Sequence, residues 1–387
     1  MADAELYAGR EQTLVKHVIL RQYLNRFAHI IGSKWDSVTY VDCFSGPWNS
    51  QSVDLSDTSF AIAVRELREA RDHLRDGLSR NVRMRCLFLE KDPKPYDQLV
   101  KFAESTTDLE VKTKNAELEQ SITDISCFID ADRRTFPFLF IDPTGWTGFA
   151  MQTITPLLRR RPGEVLINFM TGHILRFADH SDPAIRQKFD SLFGSSEHRA
   201  RWAKLSGRDR EEMLVQCYCD AARAAGEFEF VVPAVVLHPE KDRTHFHLIY
   251  ATRHKKGVQE FKKAEEAAMS VMEQARAQRQ QRSRVNRTRQ PELFTSNELI
   301  KPEYYDGLRE RNTSTTLAAL KHMLSTEHRL GYDRIWAKAM QSALVWEADL
   351  KGWIDDWRKQ GLAKLEGLSE KERTPKLGAG HSLVWLG

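Results

Sequence analysis

The 387-residue chain has only five cysteines, and only Cys217 and Cys219 lie close together. A C-x-C step without a second pair is a poor zinc signature, and the scatter of Cys43, Cys86 and Cys127 gives no disulfide framework. All five therefore read as reduced thiols of a cytoplasmic protein. No apolar run is long enough to span a bilayer, and the opening MADAELYAGREQT lacks the apolar core of a signal peptide, so no membrane role is expected. Neither sign of charge dominates: the net value of +4 is too small to name a partner, and local clusters matter more. Internal repeats are absent. What remains, 41% apolar and 29% charged residues, is the balance of a soluble globular protein long enough for one large core domain and a smaller one.

The organising stretch is YVDCFSGPW, Tyr40 to Trp48. Tyr40 and Val41 suit a buried strand, Asp42 closes it, and Ser45, Gly46 and Pro47 cannot continue it. Ligands of open parallel sheets sit beyond the carboxyl ends of the strands, where a glycine lets backbone and ligand approach closely. Two more apolar runs end the same way: CLFLE closes on Glu90, followed by Lys91, and FPFLFID closes on Asp142 and Pro143. Continuous apolar strands separated by helical patterns predict one parallel sheet covered on both faces, with a shared ligand edge. EVLINFM supplies a further strand, in which Asn168 reads either as a satisfied core amide or as a pocket group. Phe228 to Leu237 and His245 to Thr252 read as a closing antiparallel pair. His245 and His247 share a face there, but a third metal ligand is missing, so edge-strand histidines are favoured.

The fold class expected is α/β, a Rossmann-like, mostly parallel sheet with a closing antiparallel strand pair over residues 1–265 and a helical insertion at about 171–226. Glu11 to Ile31 is an amphipathic helix stopped by Gly32. At its start, Lys16 reads either as a solvated side chain or as one closing over a ligand carboxylate. Residues 266–314 form a basic helix or linker. Within it, Arg276 to Arg289 carries six arginines, including Arg276, Arg279, Arg282 and Arg284, and no acid; it reads as a flexible linker or as an arm following a phosphate backbone. Residues 315–387 give three helices and a hairpin, a winged-helix layout. Its third helix carries Glu347, Asp349, Asp355 and Asp356, which would face phosphates badly and favour a structural or protein-contact role.

The D-x-F-x-G order at Asp42, Phe44 and Gly46 is the first-motif pattern of many S-adenosylmethionine-dependent methyltransferases. On that reading Glu90 holds the ribose, Gly46 with Phe44 and Ser45 passes the methionine moiety, and Asn115 or Ala116 frames the adenine. Asp142 and Pro143 orient an amino group for methyl transfer. The whole chain also resembles the three-Cys-motif partner protein (TcmP) family, through Lys16-His17, YVDCFSGP, FLEKDP, FLFIDPTGW, VLINFM and FHLIYATRHKKG. The resemblance implies a methyltransferase-like Rossmann domain and a partner with three cysteines akin to radical S-adenosylmethionine enzymes; it supplies no substrate. Two departures stand out. Trp48 replaces the second glycine of the usual G-P-G turn, crowding the methionine side, and D-P-T-G-W replaces the D-P-P-Y of nucleic-acid amino-methyltransferases, leaving Trp146 to stack on a base from a different place. The sequence therefore supports a methyltransferase on a nucleic acid or nucleotide amino group. Its rivals are a non-catalytic adaptor and a nucleotide sensor.

Overall fold

A computed structural model describes residues 6–47, 50–289, 302–369 and 372–387. Trp48 lies outside them. The chain divides into two compact units, residues 1–300 and 301–387.

The first unit is built on seven strands: β1 Ser37–Asp42, β2 Arg83–Glu90, β3 Glu110–Asn115, β4 Thr135–Ile141, β5 Glu164–Phe169, β6 Phe230–Leu237 and β7 Thr244–Thr252. Their order is β3-β2-β1-β4-β5-β7-β6. The pairs among β1 to β5 are parallel, and β7 runs antiparallel to both β5 and β6. The fold is thus α/β with a mostly parallel sheet, compatible with a Rossmann-like methyltransferase. Every residue of β1 and β5 is buried, as a parallel strand covered on both faces requires. β3, at the sheet edge, alternates instead between exposed and half-buried positions.

Ten helices of this unit, among the described residues, are α1 Glu11–Gly32, α2 Ser59–Leu78, α3 Pro93–Ser105, α4 Ile122–Asp130, α5 Met151–Leu158, α6 Thr171–Ile174, α7 Pro183–Ser191, α8 His198–Trp202, α9 Gly207–Gly226 and α10 Lys255–Thr288. The strands' period-2 alternation sorts their side chains between the two faces. Val41, Leu139, Ile141, Val165 and Ile167 join a core with Ile125 of α4, Ile154 and Leu157 of α5, and Leu214 and Tyr218 of α9. On the other face α1 lies across Phe138 and Tyr250, with Tyr23 ring centroids 5.6 and 4.9 Å away and Phe27 5.2 Å from Phe138. A buried polar knot sits there. Glu164 accepts from Tyr23 Oη at 2.5 Å and from Thr252 Oγ1 at 2.8 Å, while the hydroxyls of Tyr23 and Tyr250 are 2.5 Å apart. Burial pushes the Glu164 carboxyl above its usual range.

The arginine segment read as a linker or arm is the last part of the 34-residue α10. Arginine and glutamine are good helix formers, and acids of the first unit hold the segment: Arg276 pairs with Asp242, Arg279 with Glu240 and Arg282 with Glu11, at 2.7, 2.7 and 2.5 Å. Arg284 lies on the same helix. The division at 300/301 therefore falls well after residue 265 and before residue 315.

The second unit runs α11 Glu303–Glu327, β8 Arg329–Gly331, α12 Tyr332–Met340, α13 Glu347–Lys359, β9 Ala363–Glu366 and β10 Ser382–Trp385. Its three strands form a small antiparallel sheet, β8-β10-β9. Leu320, Leu324, Trp336, Leu350, Ile354, Trp357 and Leu383 fill its core. Trp346 is buried under the Arg309 guanidinium, 4.2 Å from the ring centroid.

Among the described residues, no helix is long and apolar enough to cross a membrane, no group of three metal-binding side chains occurs, and the five cysteines are free.

Candidate functional site

The acids that close β1 and β2, and the one that follows β4, all stand at the carboxyl edge of the sheet, but at different depths. Asp42 pairs across from Phe88 and Phe140, so β1 stops two residues short of Glu90 and of Asp142. At about 3.3 Å per residue, its carboxyl is recessed by about 7 Å. The turn covers it. Asp42 accepts from Phe44 N at 3.1 Å and from Ser59 Oγ, at the start of α2, at 2.6 Å. Ser45 fastens the turn, its hydroxyl donating to Asp42 O at 2.9 Å and its amide to Leu89 O at 2.7 Å. Burial raises the Asp42 pKa to about 6 against the lowering effect of these donors, and nearby Asp142 raises it further.

Two clefts open along this edge and share Phe44, Pro143 and Thr144. The first, of about 460 Å³, runs from Cys43, Leu89, Glu90 and Lys91 past residues 116–119 to the loop 143–150 and to Lys188, Ser191 and Leu192 at the end of α7. Glu90 is buried on its floor, with Oε1 accepting from Asp92 N at 2.7 Å. Leu118, Leu192 and Trp146 give it apolar walls. Trp146 is itself buried, tilted over Phe177 with centroids 4.7 Å apart.

The second cleft, of about 250 Å³, is lined by Arg10, Lys16 and His17, by Gly46, by Asp57 to Ser59, by Asp142, by Asn168 and by His245. Lys16 and Asp142 form an ion pair, both side chains nearly buried, and Asn168 Nδ2 donates to the other Asp142 oxygen at 2.7 Å. The carboxylate accepts only, so it fixes the orientation of the Asn168 amide. Arg10 pairs with Asp57, which also accepts from Gln51 N at 3.0 Å and from Ser50 Oγ at 2.5 Å. His17 bonds Tyr7 Oη at 2.8 Å, and burial keeps it neutral. Burial, aided by the charges of Arg243, Lys16 and Arg176, lowers His245 to about 4.

The residues singled out in the sequence are thus divided. Glu90, Lys91, Ala116 and Trp146 line the first cleft, Lys16, Gly46 and Asp142 the second, and Phe44 and Pro143 both. Asp42, Ser45 and Asn115 border neither. The Asn115 amide donates to the carbonyls of Glu90 and Lys91 at 2.8 and 3.0 Å and so braces the end of β2. Arg276, Arg279 and Arg282 line neither cleft; each is bound to an acid. Sequence reasoning passed over Arg10, Asp57, Thr144 and residues 117–119. It met His245 only as an edge-strand histidine. Asn168, left between core amide and pocket group, is both.

The chain matches no family model and no curated protein sequence. Among solved structures it is similar to a Legionella pneumophila Philadelphia 1 protein of the family model DUF519, at 11% identity over 66% of this chain and 92% of that one, with a TM-score of 0.40. It is also similar to a loganic acid methyltransferase with SAH, at 9% identity over 73% and 90%, with a TM-score of 0.31. At these scores neither likeness bears on the chemistry of this chain.

Proposed function

We propose that this chain is an S-adenosylmethionine-dependent methyltransferase acting on an amino group of a nucleic acid or nucleotide. The observation that carries the reading is the pair of clefts meeting at Phe44, Pro143 and Thr144, with the buried Glu90 in one and the half-buried Asp142 in the other. The first cleft fits an adenosine: apolar walls take the flat base, and Glu90 accepts from the ribose hydroxyls. The second fits the amino-acid end of the ligand and the incoming nitrogen. When bound, the ligand supplies a methyl already activated on a sulfonium. The residues of the chain then have to position the nitrogen. Asp142 and the Pro143 carbonyl accept its N–H groups and turn its lone pair toward the methyl. As the new N–C bond forms and the C–S bond breaks, positive charge passes to the nitrogen, and the Asp142 carboxylate is the nearby acceptor for the proton it sheds.

Isothermal titration with S-adenosylhomocysteine tests the reading. Binding is expected for wild type and a loss of about tenfold or more for Glu90→Ala, since a buried charge-assisted contact of about 1.5–3 kcal/mol is removed. No heat with wild type would count against it.

A second reading has support in the second unit. Its order of helix, strand, two helices and hairpin resembles a winged helix, yet α13 carries Asp355 and Asp356, and Glu347, which accepts from Trp336 Nε1 at 2.9 Å. With Arg276, Arg279 and Arg282 already paired, this favours a protein partner, and the TcmP resemblance would make that partner the three-cysteine protein of a cytoplasmic complex. Co-purification with such a partner and no methyl transfer by the isolated chain would favour an adaptor.

A further inference from the structure

We propose that Lys16 changes partners: it holds Asp142 until an S-adenosyl ligand brings its own carboxylate into the second cleft, then moves to that carboxylate and frees Asp142 for the incoming nitrogen. The inference rests on the methyltransferase reading and adds to it an order of binding and a selectivity for ligands that carry a carboxylate.

The charges of the second cleft set the problem. Its lining cations, Arg10 and Lys16, are each paired with a lining acid, Asp57 and Asp142. His17 and His245 are neutral near pH 7, so they offer an arriving anion no charge. A ligand carboxylate must therefore draw one cation from its partner. The two pairs are not equivalent. The Asp57 side chain is fully inaccessible and is also held by Ser50 and Gln51, so removing Arg10 strands a buried charge in a fixed place. Asp142 keeps the Asn168 amide when Lys16 leaves, and its side chain lines the cleft. Lysine also has a long flexible stem, so its ammonium can shift without moving α1.

Two consequences follow from the exchange. The ligand's apparent affinity is reduced by the work of breaking the Lys16–Asp142 pair. The oxygen that Lys16 covers becomes a free acceptor only after the ligand is in place, so the amino substrate enters second. Loss of the Asp142 charge also relieves its repulsion of the ligand carboxylate, so the exchange is read from the Lys16→Met/Asp142→Asn double variant, in which the tightening by Asp142→Asn should disappear.

The test is equilibrium binding of S-adenosylhomocysteine and of 5′-methylthioadenosine, which lacks the carboxylate, to wild type, Lys16→Met, Asp142→Asn and the double variant. Neither ligand is a sulfonium, so direct attraction between Asp142 and a sulfonium charge does not enter. Lys16→Met is expected to weaken S-adenosylhomocysteine by about tenfold or more, and Asp142→Asn to tighten it by about fivefold, the scale of a modest coupling between sites. Methylthioadenosine affinity should stay within about twofold throughout, which also reports that each variant is folded. If Asp142→Asn leaves S-adenosylhomocysteine unchanged or weaker, or tightens it equally in the Lys16→Met background, or if Lys16→Met has no effect on it, the exchange is overturned while the methyltransferase reading stands. If wild type binds neither compound, that reading falls and the exchange with it.

Discussion

Asp42→Asn should make the protein more stable at neutral pH, although it removes a carboxylate from a strand end that resembles a cofactor motif. Asp42 is fully buried and its pKa stands at about 6, against an ordinary value of 3.8. At 1.36 kcal/mol per pKa unit, ionising it in the folded chain costs about 3 kcal/mol more than in the unfolded chain. The raised value means that the folded state holds the proton more tightly. The penalty is absent below about pH 3.8, grows as pH rises, and is complete above about pH 6. Asparagine is isosteric. Its oxygen can still accept from Phe44 N, and its amide can donate to Ser59 Oγ, which is free to reverse its role. The variant should therefore match wild type near pH 4 and exceed it by up to about 3 kcal/mol at pH 7.5. Urea denaturation of both proteins at a series of pH values measures the difference, in which other titrating groups cancel. A difference that does not change with pH, or a variant weaker at pH 7.5, would refute the recessed, costly carboxylate.

Two further perturbations act on the same sheet. His247 is buried, bonded to Thr171 Oγ1 at 2.8 Å, and lowered by burial to about 3. Its contribution is whole above the usual value of 6.5 and is lost as pH falls toward 3, so wild type should lose about 2 kcal/mol by pH 5 from this group alone. His247→Gln should spare that loss, and thermal melts at pH 7 and pH 5 check it. Gly257, in the first turn of α10, leaves room for the polar knot: an added Cβ would lie 2.3 Å from Tyr250 Oη and 2.7 Å from Glu164 Oε1. Gly257→Ala should cost about 1–3 kcal/mol in chemical denaturation, the scale of overpacking in a rigid core.

The sheet was legible wherever a strand is buried on both faces. CLFLE, FPFLFI and EVLINF are continuous apolar runs with breaks after them, and β2, β4 and β5 cover the same residues. Legibility failed at the margins. Thr113 to Asn115 of β3 carry no apolar signal; they are held by pairing with Phe88 to Glu90, which no local pattern announces. β8 has three residues and owes its existence to β10, fifty residues away in sequence, so nothing near it marks a strand. The arginine segment looked like a linker because it has almost no apolar residues. Its helix is held by ion pairs to Glu11, Glu240 and Asp242, all distant in sequence.

The same distinction explains the site. An acid after an apolar run can be read from sequence, but its depth depends on where the neighbouring strands begin and end. Strand pairing sets Glu90 and Asp142 two residues beyond Asp42 on either side of β1, so one recurrent pattern produces three environments. Glu90 faces the first cleft, Asp142 faces the second, and Asp42 lies below the turn, held by an amide and a hydroxyl. A uniform strand end would have put all three carboxylates against one ligand and forced three negative charges together. Staggering lets the deepest one lose its charge near pH 6 and leaves each of the others a separate partner set. Lengthening β1 by two residues would bring its acid level with Glu90 and Asp142 at the rim.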